Sequence, residues 1–219
     1  MLSPGQISSF LADGYVALRG AVPAGLARAC QDVVWSELRQ HGVRRDDPAT
    51  WTAPVVRIPC PEGGPFAKAG TQPVVQAACD QLIGPGRWWR RAGVGGTIPV
   101  RFPSEADPGD AGWHIEASYR DGGQSRVNIG SRARGLLALY LLTDVDADSA
   151  PTRLRPGSHL DVPRLLAPAG GQRHWPVLAG HRPGGGCVLV PPLPGARGLL
   201  AAPRPVSTDD RPTGGGPPR

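Results

Sequence analysis

Glycine and proline are spread unevenly along this 219-residue chain, and their distribution limits what each part can fold into. Residues 182–219 hold 8 Gly and 9 Pro, and within them only CVLV is patterned like a strand. Pro191 and Pro192 end that segment, and neither has an N–H to donate to a sheet. We therefore predict a folded domain over residues 1–181 and a disordered Gly/Pro-rich tail over residues 182–219.

The first hundred residues are patterned mainly as helices. Ser3 suits the cap and Pro4 the first position of a helix that Gly14 ends. Two more helices are predicted in VPAGLARACQDVVWSELRQHG and TQPVVQAACDQLIG, where apolar residues recur at helical spacing. YVALRG predicts a strand between the first two helices, and residues 43–71 predict loops with two short extended pieces.

Short extended segments dominate the middle of the chain. They are separated by Gly, Pro, Asp and Ser, and they read GGTIPVRFP, GWHIEASY, RGLLALYLLTDV and PTRLRPGSH. Many short strands at this spacing favour an antiparallel barrel or jelly roll. The apolar run LLALYLL at 136–142 predicts a strand buried on both faces. We therefore expect a mostly-β fold with flanking helices.

Charge and cysteine content narrow the class of protein. The formal net charge is +6, but Lys68 is the only lysine among 24 basic residues and no Lys/Arg-rich run occurs. Nucleic acid is therefore not an expected partner. The cysteines are not spaced as in zinc or redox motifs, and no signal-like start or membrane-length apolar run is present. These features predict a cytoplasmic protein with reduced thiols and no membrane partner.

GWHIEASYRDGG, residues 112–123, carries a candidate metal half-site. On a strand, His114 and Glu116 would project from the same face. One imidazole and one carboxylate are two of the three ligands in the facial triad that holds Fe(II) in oxygenases. Without further context, a His and a Glu on a solvated strand face are the favoured explanation, because so short a motif often matches by chance.

The blocks around this motif resemble the phytanoyl-CoA dioxygenase family of Fe(II)/2-oxoglutarate oxygenases. The resemblance runs from LSPGQISSFLADGYVALRGAVP to about residue 185, and it rests on WHIE and on the LTDVD…APTRLRPGSH block in that order. It implies a double-stranded β-helix, a jelly roll of cupin type, with Fe(II) bound by His114 and Glu116. It also implies 2-oxoglutarate as co-substrate, O2, and a small organic substrate that is hydroxylated. The family's usual carboxylate ligand is Asp, so Glu116 is a departure.

The resemblance also implies a distal His ligand and an Arg for 2-oxoglutarate on a late strand, and this chain has neither there. His159 is expected to make local hydrogen bonds in a turn, while His174 and His181 are expected in a loop. Read one base later, codons permitted for residues 185–202 can spell GDVYLCHPFLVHAA followed by SWPH, which resembles the family's late strand. We therefore hypothesise a frameshift near residue 184, which leaves the fold incomplete at its C-terminal strands.

Two functions remain open from the sequence. The first is an Fe(II)/2-oxoglutarate dioxygenase that is impaired because the distal His and the Arg for 2-oxoglutarate are missing. The second is a non-catalytic cupin-like binding or structural protein. Arg101, in PVRFP, is a candidate for contact with 2-oxoglutarate, and a surface Arg on a strand is the equal alternative. Binding of nucleic acid by the Arg-containing tail is a third and weaker possibility.

Overall fold

The computed structural model describes the backbone of residues 1–110, 119–121, 124–128, 136–166, 172–175 and 188–190. The helices are α1 (Pro4–Asp13), α2 (Ala24–Gln40), α3 (Gly64–Gly70), α4 (Pro73–Ile83) and α5 (Ser158–Leu166), with a short 3-10 turn at Pro48–Thr50. The strands are β1 (Tyr15–Ala17), β2 (Val55–Pro59), β3 (Thr97–Arg101), β4 (Tyr119–Asp121), β5 (Gln124–Asn128), β6 (Leu137–Ala138), β7 (Gln172–Trp175) and β8 (Val188–Val190).

Helix α1 begins and ends as its sequence predicts. The Ser3 side chain accepts a hydrogen bond from the Gln6 amide, and the Gln6 side chain accepts one from the Ser3 amide. This reciprocal pairing satisfies two of the amide groups that the first turn leaves unpaired. Gly14 ends the helix in the left-handed conformation, with φ of 82°, and its amide donates to the carbonyl of Phe10. Strand β1 follows directly, as predicted.

The predicted second and third helices are also confirmed, as α2 and α4. The sequence did not predict α3, which lies within the stretch expected to be loops and extended pieces. This helix is only seven residues long, and two of them are glycines at its ends. A helix of this length has too few residues to show a period, although Phe66 and Ala69 are buried at helical spacing.

The strands form three small sheets. Strands β2 and β3 pair antiparallel, and β4, β5 and β7 form a second antiparallel sheet. The third sheet has β8 at its centre, paired parallel to both β1 and β6. Strand β8 coincides with CVLV, the part of the tail that is patterned like a strand. Because β8 pairs with β1, it joins the tail to the start of the chain.

Two apolar clusters organise the described part of the chain. The larger lies between α2, α3 and the β2–β3 ribbon, and its buried members include Leu38, Ile58 and Phe66. The smaller joins α1, β1 and α4 through residues such as Phe10, Val16 and Val75. Both clusters are therefore built largely from helices, and the β2–β3 ribbon lies against the larger one.

The prediction of a mostly-β jelly roll is wrong for the described residues. The α-helices are 7 to 17 residues long, whereas no strand exceeds five. A jelly roll is antiparallel throughout, and the sheet of β1, β8 and β6 is parallel. The predicted double-stranded β-helix is therefore not the architecture observed in this part of the chain.

The segment LLALYLL shows why the prediction failed. Only Leu137 and Ala138 form a strand, while Tyr140 and Leu142 pack against the helical cluster. An apolar run indicates that side chains are buried, but it does not show that they are buried in a sheet. Likewise, residues 151–157 of the predicted strand PTRLRPGSH form no strand, and the segment ends by entering α5.

Within the described residues, none of the helices combines the length and the apolar character that crossing a bilayer requires.

Candidate functional site

The sequence predicts three site residues, and one of them lies within the part of the chain that the structure describes. His114 and Glu116 lie outside the described residues, so their roles as metal ligands stay predictions. Arg101 is described, as the last residue of β3. The candidate site is therefore built from Arg101 and the groups it contacts, nine residues before Asp110 and thirteen before His114.

The guanidinium of Arg101 already holds a carboxylate, that of Asp110. Arg101 Nη2 lies 2.8 Å from Asp110 Oδ2, and Nη1 lies 3.4 Å from Oδ1. This is the fork-to-fork arrangement in which both carboxylate oxygens face the two terminal nitrogens of one arginine. The side chains of Arg101 and Asp110 are 29% and 22% exposed. Arg101 therefore contacts Asp110 of the chain itself, whereas the sequence left open a contact with 2-oxoglutarate or a surface Arg on a strand.

A second arginine, Arg57 on β2, donates to the same carboxylate through its Nη2. In the antiparallel register Val55 faces Arg101 and Arg57 faces Pro99. Arg57 and Arg101 are therefore diagonal neighbours on one face of the ribbon. Because side chains alternate along a strand, Ile58 and the other residues on its side of the ribbon point to the opposite face. That face packs on the larger core cluster. The two guanidiniums thus lie on the outer face of a ribbon whose inner face is buried.

The arginines also set the protonation of Asp110. The hydrogen bond from Arg101 is the largest cause that holds the pKa of Asp110 below its usual value. Burial acts in the opposite direction, and the positive charges of Arg101 and Arg57 lower the pKa further. An ordinary aspartate is already an anion at neutral pH, and the arginines keep Asp110 ionised to a lower pH. We refer to Arg57, Arg101 and Asp110 together as the arginine clasp.

The end of β3 is held in place by an aromatic cluster. Phe102, the residue after Arg101, packs against Trp51 and Trp35 with ring centroids 5.3 and 6.1 Å apart. Its amide donates to the carbonyl of Pro54 at 3.1 Å, which extends the β2–β3 ladder beyond Arg101. Because the backbone of Arg101 is fixed on both sides, its guanidinium projects from a rigid support.

The described residues outside the clasp offer no alternative metal centre. No group of three or more His, Cys, Asp or Glu within the described ranges could hold a metal ion. His159 makes the contact Nε2 to the carbonyl oxygen of Leu11 at 3.0 Å. Its Nδ1 is buried against Gly14 and finds no hydrogen-bond partner in the described part of the molecule. His159 is thus a packing residue. The sequence predicted a local hydrogen bond in a turn, whereas the bond observed is to Leu11 in the distant helix α1.

His174 also differs from expectation, because it lies in β7 and pairs with Arg126, whereas the sequence predicted a loop. His181 lies outside the described residues. A surface concavity of about 760 Å³ is lined by Arg39, Arg44, Arg45 and Asp46, and no predicted site residue lines it. These observations leave the arginine clasp as the described group with chemistry relevant to the predicted function.

The donors in the clasp fit one of the two predicted cofactors. The fork of Arg101 already binds a carboxylate, so its geometry suits a carboxylate of 2-oxoglutarate. For Fe(II), the described residues supply no ligand set, and the predicted ligands lie outside them.

Sequence reasoning missed Arg57 and Asp110. The signal for Arg57 was its position in VVRIP, where it alternates with inward-facing Val56 and Ile58. No comparable signal marked Asp110. It lies in a stretch rich in Pro and Asp, and such a sequence does not show which strands the Asp110 side chain will contact.

In comparisons with known proteins, no family model, no curated protein and no solved structure matches this chain.

Proposed function

We propose that this chain derives from an Fe(II)/2-oxoglutarate-dependent dioxygenase that hydroxylates a small organic substrate, and that its activity is impaired as the sequence stands. The observation that carries the proposal is His114–x–Glu116 set between the two sequence blocks that resemble the phytanoyl-CoA dioxygenase family. The arginine clasp adds support, because Arg101 presents a donor fork that suits a carboxylate.

The roles of the chain's own residues follow from their chemistry. His114 would donate a ring nitrogen to the metal and Glu116 a carboxylate oxygen, and Arg101 would orient a carboxylate of 2-oxoglutarate. Bound Fe(II) with 2-oxoglutarate would supply the activation of O2 needed to hydroxylate a C–H bond. With two protein ligands where the facial triad has three, the metal would be held weakly.

A cytoplasmic location belongs to the same proposal. Cys30, Cys60 and Cys79 are free thiols, and the first two are buried in the core. Free thiols are the usual state of cysteine in the reducing cytosol. The proposed partners are accordingly a small-molecule substrate and O2.

The second candidate is a non-catalytic binding or structural protein. One specific observation favours it: the Arg101 guanidinium, a candidate cofactor contact, is paired with Asp110. In such a protein the clasp would be a structural tie between β3 and the loop that follows it. Metal binding that is strengthened by 2-oxoglutarate would separate the two candidates, because only the first requires it.

Turnover tests the proposal together with the frameshift hypothesis. Purified protein should convert 2-oxoglutarate to succinate no faster than a sample without protein. A second chain, rebuilt from residue 185 in the alternative reading GDVYLCHPFLVHAA, should consume 2-oxoglutarate in the presence of Fe(II) and O2. Replacing His114 by Ala in the rebuilt chain should abolish this consumption, whereas replacing the exposed His41 should not.

Ordinary turnover by the chain as it stands would contradict the predicted impairment. A gene sequence around codons 180–205 that shows no related reading in the other frame would remove the frameshift hypothesis.

A further inference from the structure

The arginine clasp has more positive charge than its own carboxylate balances. Two guanidiniums, each with charge +1, contact the single negative charge of Asp110. In each of the other described Asp–Arg ion pairs one guanidinium contacts one carboxylate: Arg44–Asp46, Arg45–Asp32, Arg90–Asp80 and Arg155–Asp161. The clasp alone among these pairs therefore has the charge to accept a ligand with two negative charges.

The donors of the clasp are also accessible. The Arg57 side chain is 47% exposed and Arg101 is 29% exposed, so a small solute can reach both from solvent. The face of the ribbon beneath them is buried against the core, so the spacing of the two side chains is set by the β2–β3 register. A fixed pair of open guanidiniums is a suitable arrangement for planar carboxylates.

The Asp110 carboxylate binds Arg57 and Arg101, and its place in the loop allows it to be displaced from them. Asp110 follows Gly109, which has φ of 71°, and it lies in the loop after β3, where short-range hydrogen bonds run from the amide of Ala106 to Ser104 and from the amide of Gly109 to Asp107. The two described contacts of the Asp110 side chain are those to the arginines. Departure of Asp110 would therefore leave β2 and β3 intact.

From these observations we infer that Arg57 and Arg101 form a binding site for small dicarboxylates, and that Asp110 is an internal ligand which such a molecule displaces. A dicarboxylate replaces one negative charge by two and so neutralises both arginines. Asp110 then keeps the site closed to monoanions and neutral molecules, because these offer no gain in charge over the carboxylate already bound.

This inference deepens the proposed function, and its link to catalysis rests on that function, because 2-oxoglutarate is a dicarboxylate. The binding itself requires no metal. It can therefore be tested in the presence of a chelator, where the proposed Fe(II) ligands play no part.

The experiment is calorimetric titration of succinate into the full chain with EDTA present. Wild-type protein should bind succinate weakly, because the ligand must displace Asp110. The Asp110→Asn variant removes the internal anion and should bind roughly tenfold more tightly, the size expected for removing a competing charge-assisted hydrogen bond. Adding Arg57→Gln to Asp110→Asn should abolish the gain, and Arg57 is exposed enough for this change to leave the fold intact.

The matched control is Asp32→Asn, which removes the carboxylate from an exposed Asp–Arg pair elsewhere on the chain and should leave succinate binding at the wild-type level. The inference is overturned if Asp110→Asn binds succinate no better than wild type, or if the gain survives Arg57→Gln. It is also overturned if neutral succinamide binds Asp110→Asn as tightly as succinate. If the protein binds Fe(II) but not succinate, this site alone is refuted. If it binds succinate but not Fe(II), the proposed iron function alone is refuted.

Discussion

The imidazole of His159, in α5, contacts the end of α1: its Nε2 lies 3.0 Å from the carbonyl oxygen of Leu11, 148 positions earlier. A second contact runs beside it, because the amide of Gly157 donates to the carbonyl of Asp13 at 2.9 Å. Together these contacts place the start of α5 on the C-terminal end of α1. The carbonyls of a helix end that lack partners within the helix are in this way partly satisfied from outside.

Replacing Gly14 by Ala tests this contact. A Cβ at Gly14 would lie 2.4 Å from His159 Nδ1, and the residue has φ of 82°. The left-handed backbone alone costs a residue other than glycine about 1–2 kcal/mol, and the overlap with the ring adds about 1–3 kcal/mol. We expect a corresponding loss in the free energy of unfolding by urea.

Gly20 supplies the control for this variant. Its φ is 69°, and a Cβ there meets nothing within 4 Å. Gly20→Ala should therefore show only the backbone cost. Equal losses for the two variants would show that the imidazole does not constrain Gly14, whereas partial rescue of Gly14→Ala by His159→Ala would support the contact.

A glycine is also required where α3 meets the loop before β3. A Cβ at Gly70 would lie 2.1 Å from the carbonyl carbon of Gly93 and 2.4 Å from the amide nitrogen of Val94. These are backbone atoms, so no side-chain rotation can relieve the overlap. Gly70→Ala should lower the free energy of unfolding by about 1–3 kcal/mol.

Gly25→Ala is the comparison for Gly70, because a Cβ at Gly25 meets only the far end of the Arg28 side chain, at 3.9 Å. Gly25 lies in the first turn of α2, so alanine there should be neutral or slightly stabilising. A Gly70→Ala protein as stable as wild type would mean that α3 and the loop before β3 are not in close contact.

These examples show what the sequence could and could not predict. The cap of α1 was predictable because Ser3 and Gln6 are three residues apart and satisfy each other locally. The clasp and the His159 contact were not, because they depend on which strand or helix end a distant loop reaches. The strand predicted at LLALYLL failed for a related reason: Tyr140 and Leu142 are partly buried against helices, and their own sequence does not identify their neighbours.

The clasp predicts a defined dependence of stability on pH. The pKa of Asp110 in the folded protein lies below its usual value of 3.8, because Arg101 and Arg57 favour the anion. The folded state therefore gains stability from Asp110 at pH values above 3.8, and this gain is lost as the pH falls through the folded pKa. The difference in unfolding free energy between wild type and Asp110→Asn should be constant from pH 5 to 7 and shrink below pH 3.8. A difference that stays unchanged down to the acid limit of folding would contradict the ion pair.

The core thiol of Cys30 should react slowly. Burial, aided by the nearby Cys60, raises its pKa from 9.0 to about 11. The reactive thiolate is then about a hundredfold scarcer at pH 8 than in an unperturbed cysteine. Labelling with iodoacetamide, followed by mass spectrometry of the peptides, should find Cys30 modified far more slowly in native than in urea-unfolded protein. Equal rates in the two states would show that the thiol is not buried between α2 and the ribbon.

The proposed iron half-site of His114 and Glu116 can be tested by anaerobic titration of Fe(II) with and without 2-oxoglutarate. We predict one weak site per chain in the wild-type protein, tightened by 2-oxoglutarate, abolished by His114→Ala or Glu116→Ala, and kept by His41→Ala. Absence of Fe(II) binding, or Fe(II) binding that is unchanged by replacement of His114, would show that these residues do not form the half-site.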